Sequence, residues 1–251
     1  MAADILFASL EDGVGTITLN RPDAMNAFTP ELLEDLVAAL ARFGEEARVI
    51  VLRGAGRCFS AGVDLKVLQR ATLEAGRVGG VFDGPAAEAA AVVRRSPVPV
   101  IARVHGFCFT GALEIALHCD LLYTTADAKF GDTHAKFGLR PTWGMSQTLP
   151  RAVGVRKAKE LSFTARTFSG RDAADWGLAN AAFEDEAALD KAVADAARRI
   201  VENSAGAVSA YKELFALAAE NRPLEEALAE EVAREFPKIT DTNERLAGFG
   251  K

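Results

Sequence analysis

Glu114 has the clearest chemical setting in this chain of 251 residues. It is the one acid of the apolar helical run that follows Thr110-Gly111, inside the stretch VHGFCFTGALEIALHCD (104–120). A glycine just ahead of a helix lets backbone N–H groups approach a ligand closely, because no Cβ intervenes. Those N–H groups lie at the positive end of the helix. A carboxylate three residues later stands in the first turn beside them. The pattern therefore offers donors for a developing negative charge next to a general base. A buried helix start with a solvent-facing glutamate would produce the same pattern.

A second stretch, RCFSAGVDLK (57–66), decides between the two. The run ARVIVLRG ends at Gly54, and Ser60-Ala61-Gly62 then makes another small-residue turn before Val63 and Asp64. Two such turns, each after a β-branched run, can aim two N–H groups at one oxygen. That is the minimum a thioester enolate needs. Phe59 to Leu65 and Gly106 to Asp120 together resemble the two hallmark turns of the crotonase (enoyl-CoA hydratase/isomerase) superfamily. The resemblance extends to LNRPDAMNAF (19–28), PVPVIARVHG (97–106) and NSAGAVSAYKELF (203–215), nearly the whole chain.

The resemblance implies an α/β fold, a crotonase-like spiral of ββα units over 1–185, with a C-terminal helical trimerisation region over 186–251. It implies a homotrimer or dimer of trimers acting on an acyl-CoA thioester. No cofactor is implied, since coenzyme A is part of the substrate. Position by position, the backbone N–H groups of Val63 and Gly111 form the oxyanion hole. Ala61, Gly62 and Leu65 flank the acyl and pantetheine path. Asp64 belongs to the same turn, where it either meets substrate or caps the short helix that follows; the preference of Asp for caps favours the second. Glu114 matches the first catalytic glutamate of the hydratases.

The second glutamate is missing. Family hydratases read F-G-x-P-E there, and this chain reads Phe130-Gly131-Asp132-Thr133-His134. His134 stands at the acid's position, with Asp132 two residues earlier as a weaker candidate. A neutral imidazole accepts a proton and an imidazolium delivers one. Glu114 as base on water with His134 as proton donor makes a workable hydration pair. Isomerisation, thioester hydrolysis and a non-catalytic acyl-CoA-binding scaffold are the alternatives. Trp143 replaces a small glycine-rich turn; it narrows the acyl pocket or packs the core. The basic tail that reaches CoA phosphates in many relatives would fall at Phe249-Gly250-Lys251, where Lys251 is the one basic residue.

Composition argues against a general nucleic-acid binder. The formal charge is −6 and the basic residues are scattered, whereas nucleic-acid binding wants a basic face. Cys58, Cys108 and Cys119 show no C-x-x-C spacing, which points to free thiols in a reducing compartment and to small apolar packing. Met1-Ala2-Ala3-Asp4 has no leader pattern, and no apolar run approaches the roughly 18–20 residues of a membrane span. The expectation is a cytoplasmic protein with no membrane partner.

The elements that must position these residues follow in order. ILFASL and VGTITLN flank Glu11-Asp12-Gly13 as a hairpin. Thr29-Pro30 caps a helix whose stripe is Leu32, Leu33, Leu36, Val37 and Leu40. Arg48–Arg53 is a buried strand. Residues 66–84 show no steady period and read as an active-site flap or a surface loop. A helix then runs to Arg95, and VPVIARV is the strand feeding Glu114's segment. LLYTT, a short strand at Lys129-Phe130, helices through 144–165, a capping-box helix from Ser169, and the strand LANAAF follow. From Glu186 the pattern is helical only, in segments 186–203, 205–220 and 223–236.

Overall fold

The computed structural model describes residues 4–71, 73–220 and 222–248. Phe249-Gly250-Lys251, where the basic tail of many relatives would fall, lie outside the described residues. Strands β1 (Leu6–Glu11) and β2 (Val14–Leu19) make the expected hairpin. Asp12 and Gly13 turn it at φ of 47° and 79°, the sense of twist a two-residue hairpin loop needs. Four parallel strands extend the sheet from β2: β3 (Val49–Gly54), β4 (Val100–Val104), β6 (Leu121–Thr125) and β9 (Ala181–Phe183). A smaller sheet joins β5 (Phe107–Phe109), β7 (Lys129–Gly131) and β8 (Phe168–Ser169).

Both faces of the larger sheet are covered, which is why β3 and β4 read as continuous apolar runs rather than alternating ones. Ile50, Leu52, Val100 and Ala102 pack with Leu32, Leu36 and Leu40 of α1 (Pro30–Glu46). Val49, Val51 and Ile101 pack on the other side with Leu189, Val193 and Ala197 of α8 (Glu186–Glu202). Thr29 caps α1 by accepting from the Leu32 N–H, and Ser169 with Asp172 closes a full capping box on α7 (Gly170–Asp175).

The stretch 66–84 is where the structure departs most from the sequence reading. It contains α2 (Leu65–Leu68) and the first turn of α3, which begins at Gly80 and runs to Arg95. Two glycines and Pro85 hide that turn from propensity. Fully buried Phe82 and the hydrogen-bonded Asp83 hold it in place. Helices α4 (Gly111–Ala116), α5 (Met145–Val153) and α6 (Val155–Thr164) complete the body. The helical tail continues as α9 (Ala205–Ala218), α10 (Leu224–Ala233) and α11 (Thr242–Ala247), the last of which periodicity missed.

Candidate active site

The two small-residue turns are zipped together by backbone. Phe59 N–H donates to His105 O at 2.8 Å, Ser60 N–H to Phe107 O at 3.0 Å, and Phe109 N–H to Ser60 O at 3.3 Å. The approach is so close that Gly62, at φ 91°, has no room for a side chain: a Cβ there would lie 2.6 Å from Phe109 O and 3.4 Å from Gly111 N.

Within the first turn the amides are used selectively. Ala61 N–H donates to Met25 O at 3.0 Å, Gly62 N–H to Ser60 Oγ at 3.1 Å, and Asp64 N–H to Phe28 O at 2.9 Å. Among the described residues the Val63 N–H has no protein acceptor, and neither has the Gly111 N–H at the start of α4. Thr110, just before it, sits at φ 50° and ψ −112°, a conformation that costs a β-branched residue about 1–3 kcal/mol. Its N–H is tied to Gly131 O at 2.9 Å and its hydroxyl to Thr133 Oγ1 at 2.6 Å. That strain turns the Gly111 amide out of the ladder.

Val63 and Gly111 both line a cavity of about 320 Å³, whose wall also includes Ala61, Leu65, Glu114 and His134. Trp143 lines it too, although the side chain is only 4% exposed; it narrows the pocket and packs the core at once. Gly62 and Asp64 do not line it. Asp64 caps α2 by accepting from the Lys66 N–H at 3.0 Å and pairs with Arg21 at 2.9 Å, so the capping role is the one the fold uses.

Glu114 is buried, with 1% exposure. Its Oε1 accepts from the Trp143 and Met145 N–H groups, each at 3.0 Å. Its Oε2 meets His134 Nε2 at 3.4 Å. On the far side of the imidazole, His134 Nδ1 lies 2.7 Å from Asp132 Oδ1. Asp132 Oδ2 in turn accepts from Ser162 Oγ on α6 at 2.6 Å. Asp132 thus stands behind His134 and outside the cavity wall, as its orienting partner and not as a second base facing substrate.

Burial pulls the His134 imidazole down, but Asp132 and Glu114 outweigh it and hold it at about 9, above its ordinary 6.5. Burial pushes the Asp132 carboxyl up, and its bonds from His134 and Ser162 reverse this, leaving it below the usual range. The folded state therefore gains stability from the His134 pairing below about pH 6.5 and loses it as pH rises through about 9. At neutral pH the site presents an imidazolium beside the Glu114 carboxyl group, on a cavity that Val63 and Gly111 also line. The arrangement can take one proton, give another and hold an anionic oxygen between.

Sequence reasoning gave no role to Ser162, Thr110 or Thr133, although the last two lie inside the motifs it quotes. The three cysteines are free. Burial pushes their thiols up, Cys119 to about 12, so packing is their role.

Residues 9–249 match the enoyl-CoA hydratase/isomerase family. The chain belongs to the enoyl-CoA hydratase/isomerase family. It is 37% identical over 254 residues to a "Probable enoyl-CoA hydratase" of Rhizobium meliloti (strain 1021), covering 99% of this chain and 95% of that one. It is 32% identical over 206 residues to a short-chain-enoyl-CoA hydratase of Clostridium acetobutylicum, covering 81% and 77%. Among solved structures it resembles an enoyl-CoA hydratase from Bacillus anthracis, with a TM-score of 0.87, 30% identity and coverage of 98% and 94%. An enoyl-CoA hydratase/carnithine racemase from Magnetospirillum magneticum gives a TM-score of 0.88 at 31% identity, covering 99% and 93%. Relatives include proteins named as peroxisomal in Arabidopsis thaliana and mitochondrial in Mus musculus, so family membership does not carry the expected cytoplasmic location. Among the described residues no helix is long and apolar enough to cross a membrane.

Proposed function

We propose that this enoyl-CoA hydratase-like enzyme adds water across the double bond of a 2-enoyl-CoA thioester. The observation that carries the reading is the placing of two free amides, Val63 and Gly111, on the same cavity as a contacting Glu114–His134 pair. Water loses a proton to Glu114 Oε2 as its oxygen bonds to Cβ. The double-bond electrons move through Cα to the thioester oxygen, where the two amides stabilise the charge. The His134 imidazolium then gives its Nε2 proton to Cα. Glu114 ends protonated and His134 neutral, and one proton passed across their 3.4 Å contact restores both.

The test is incubation with crotonyl-CoA, followed by loss of the conjugated enoyl-thioester absorbance and by mass. A gain of one water supports hydration. Unchanged mass with a moved double bond points instead to isomerisation, which the same proton-sharing pair could perform. Release of free CoA points to hydrolysis. No reaction across an acyl-CoA panel leaves only the binding scaffold.

The helical tail supports a homotrimer or dimer of trimers. Phe215, Leu224 and Val232 are 69%, 69% and 87% exposed, more apolar side chain than a monomer normally leaves open in one region. Light scattering at micromolar concentration should return a mass of three or six chains; a monomer would count against assembly through this tail.

A further inference from the structure

The indole of Trp143 stands directly over Gly111, so that a Cβ on Gly111 would lie 2.4 Å from Cζ3. Behind it the ring packs on Phe28 and Phe82, with centroids 6.4 and 6.5 Å away. One edge of the indole therefore adjoins Gly111 on the cavity wall and the other is against the core.

Packing is not all that holds the ring. Indole Nε1 donates to Asp83 Oδ1 at 3.3 Å, and Thr142 Oγ1 donates to the same oxygen at 2.7 Å. Asp83 Oδ2 faces Arg77 at 3.3 Å. The preceding segment is fastened to the same loop, since the Arg140 N–H donates to Gly76 O at 2.9 Å. The loop so held is the one whose Trp143 and Met145 amides orient Glu114. One carboxylate on the first turn of α3 ties down both the ring and the loop.

We propose that Asp83 is a positioning residue that latches Trp143 across the acyl end of the cavity and restricts the site to short acyl chains. The substrate in this proposal rests on the hydration reading; the latch rests on the geometry alone.

The experiment compares the parent with Asp83→Ala, Asp83→Asn and Trp143→Phe. Each is assayed with four-, six- and eight-carbon 2-enoyl-CoAs, and tryptophan emission is recorded. The chain holds two tryptophans. The other, Trp176, packs on Phe168 and under Lys157, so a change in emission reports Trp143. The parent should favour the four-carbon substrate. Asp83→Ala should raise the eight- to four-carbon ratio of kcat/KM by about 10-fold, the low end of what a methylene is worth in a fitted pocket. The change should come mainly through KM, with a red shift in emission. Asp83→Asn keeps an acceptor oxygen for both donors and should hold the parent's ratio and emission. Trp143→Phe, smaller and without an N–H, should move the ratio the way Asp83→Ala does.

An unchanged ratio in Asp83→Ala, or an equal change in Asp83→Asn, overturns the proposal. If Asp83→Ala does not fold, a Trp143→Phe variant with the parent's ratio overturns it. If the parent hydrates no enoyl-CoA, the hydration reading fails by itself. Emission then decides the latch: a red shift in Asp83→Ala and not in Asp83→Asn supports it, and no shift in either removes it.

Discussion

Replacing Glu114 by Gln should lower turnover of crotonyl-CoA by roughly 10²–10⁴-fold, the usual worth of one positioned acid–base group. The amide keeps the shape of the carboxylate, and its oxygen can still accept from the Trp143 and Met145 N–H groups that hold Oε1. The –NH₂ then takes the place of Oε2, the atom that meets His134 and that in the proposed mechanism takes the proton from water. It has no lone pair to accept that proton, and it presents a donor to an imidazolium. Binding should suffer far less than turnover, because the Val63 and Gly111 amides are untouched. Steady-state kinetics with a thermal melt and a CoA-binding measurement checks this. A rate within threefold of the parent would remove Glu114 from the chemistry.

The second large effect concerns the pH profile. The neutral-range basic limb that an ordinary histidine would show is displaced here, because Asp132 and Glu114 overcome burial and hold His134 at about 9. In the proposed mechanism His134 donates a proton, so activity should stay high through neutral pH and fall as pH rises through about 9. His134→Gln should abolish the basic limb and cost roughly 10²–10⁴-fold in rate. Asp132→Asn removes one of the two acids that raise the imidazole, so its basic limb should move down toward neutral while the reaction persists. kcat and kcat/KM measured from pH 5 to pH 10 separate these outcomes. A His134→Gln variant that keeps both rate and profile would leave Glu114 acting alone and turn the reading toward a one-base reaction such as isomerisation.

Much of the fold was legible wherever one local rule sufficed. Thr29-Pro30 announces its helix because a hydroxyl acceptor and a proline without an N–H satisfy the same end. Asp12-Gly13 announces its hairpin because few residues take positive φ in succession. The first turn of α3 was hidden for the opposite reason. Its glycines and proline argue against helix, and only contacts from distant segments, Phe82 in the core and Asp83 on Thr142 and Trp143, stabilise it.

The candidate site divides the same way. The types and order of Val63, Gly111, Glu114 and His134 are properties of the sequence, because a turn that must bring backbone close to backbone demands glycine at Gly62, and a family pattern follows from that demand. Which amide stays free is not such a property. It depends on Met25, Phe28 and Ser60 accepting from the neighbours of Val63. The charge on His134 is likewise a tertiary fact. Asp132 is close in sequence, but Glu114 and Ser162 reach the site from other helices, and two acids around one buried imidazole decide its proton as spacing alone cannot. The sequence by itself determined the family, the two turns and the candidate Glu114–His134 pair. The tertiary structure decided the charge on His134, the placing of Asp132 behind it and the position of Trp143, because those depend on electrostatics and packing between segments that are far apart along the chain.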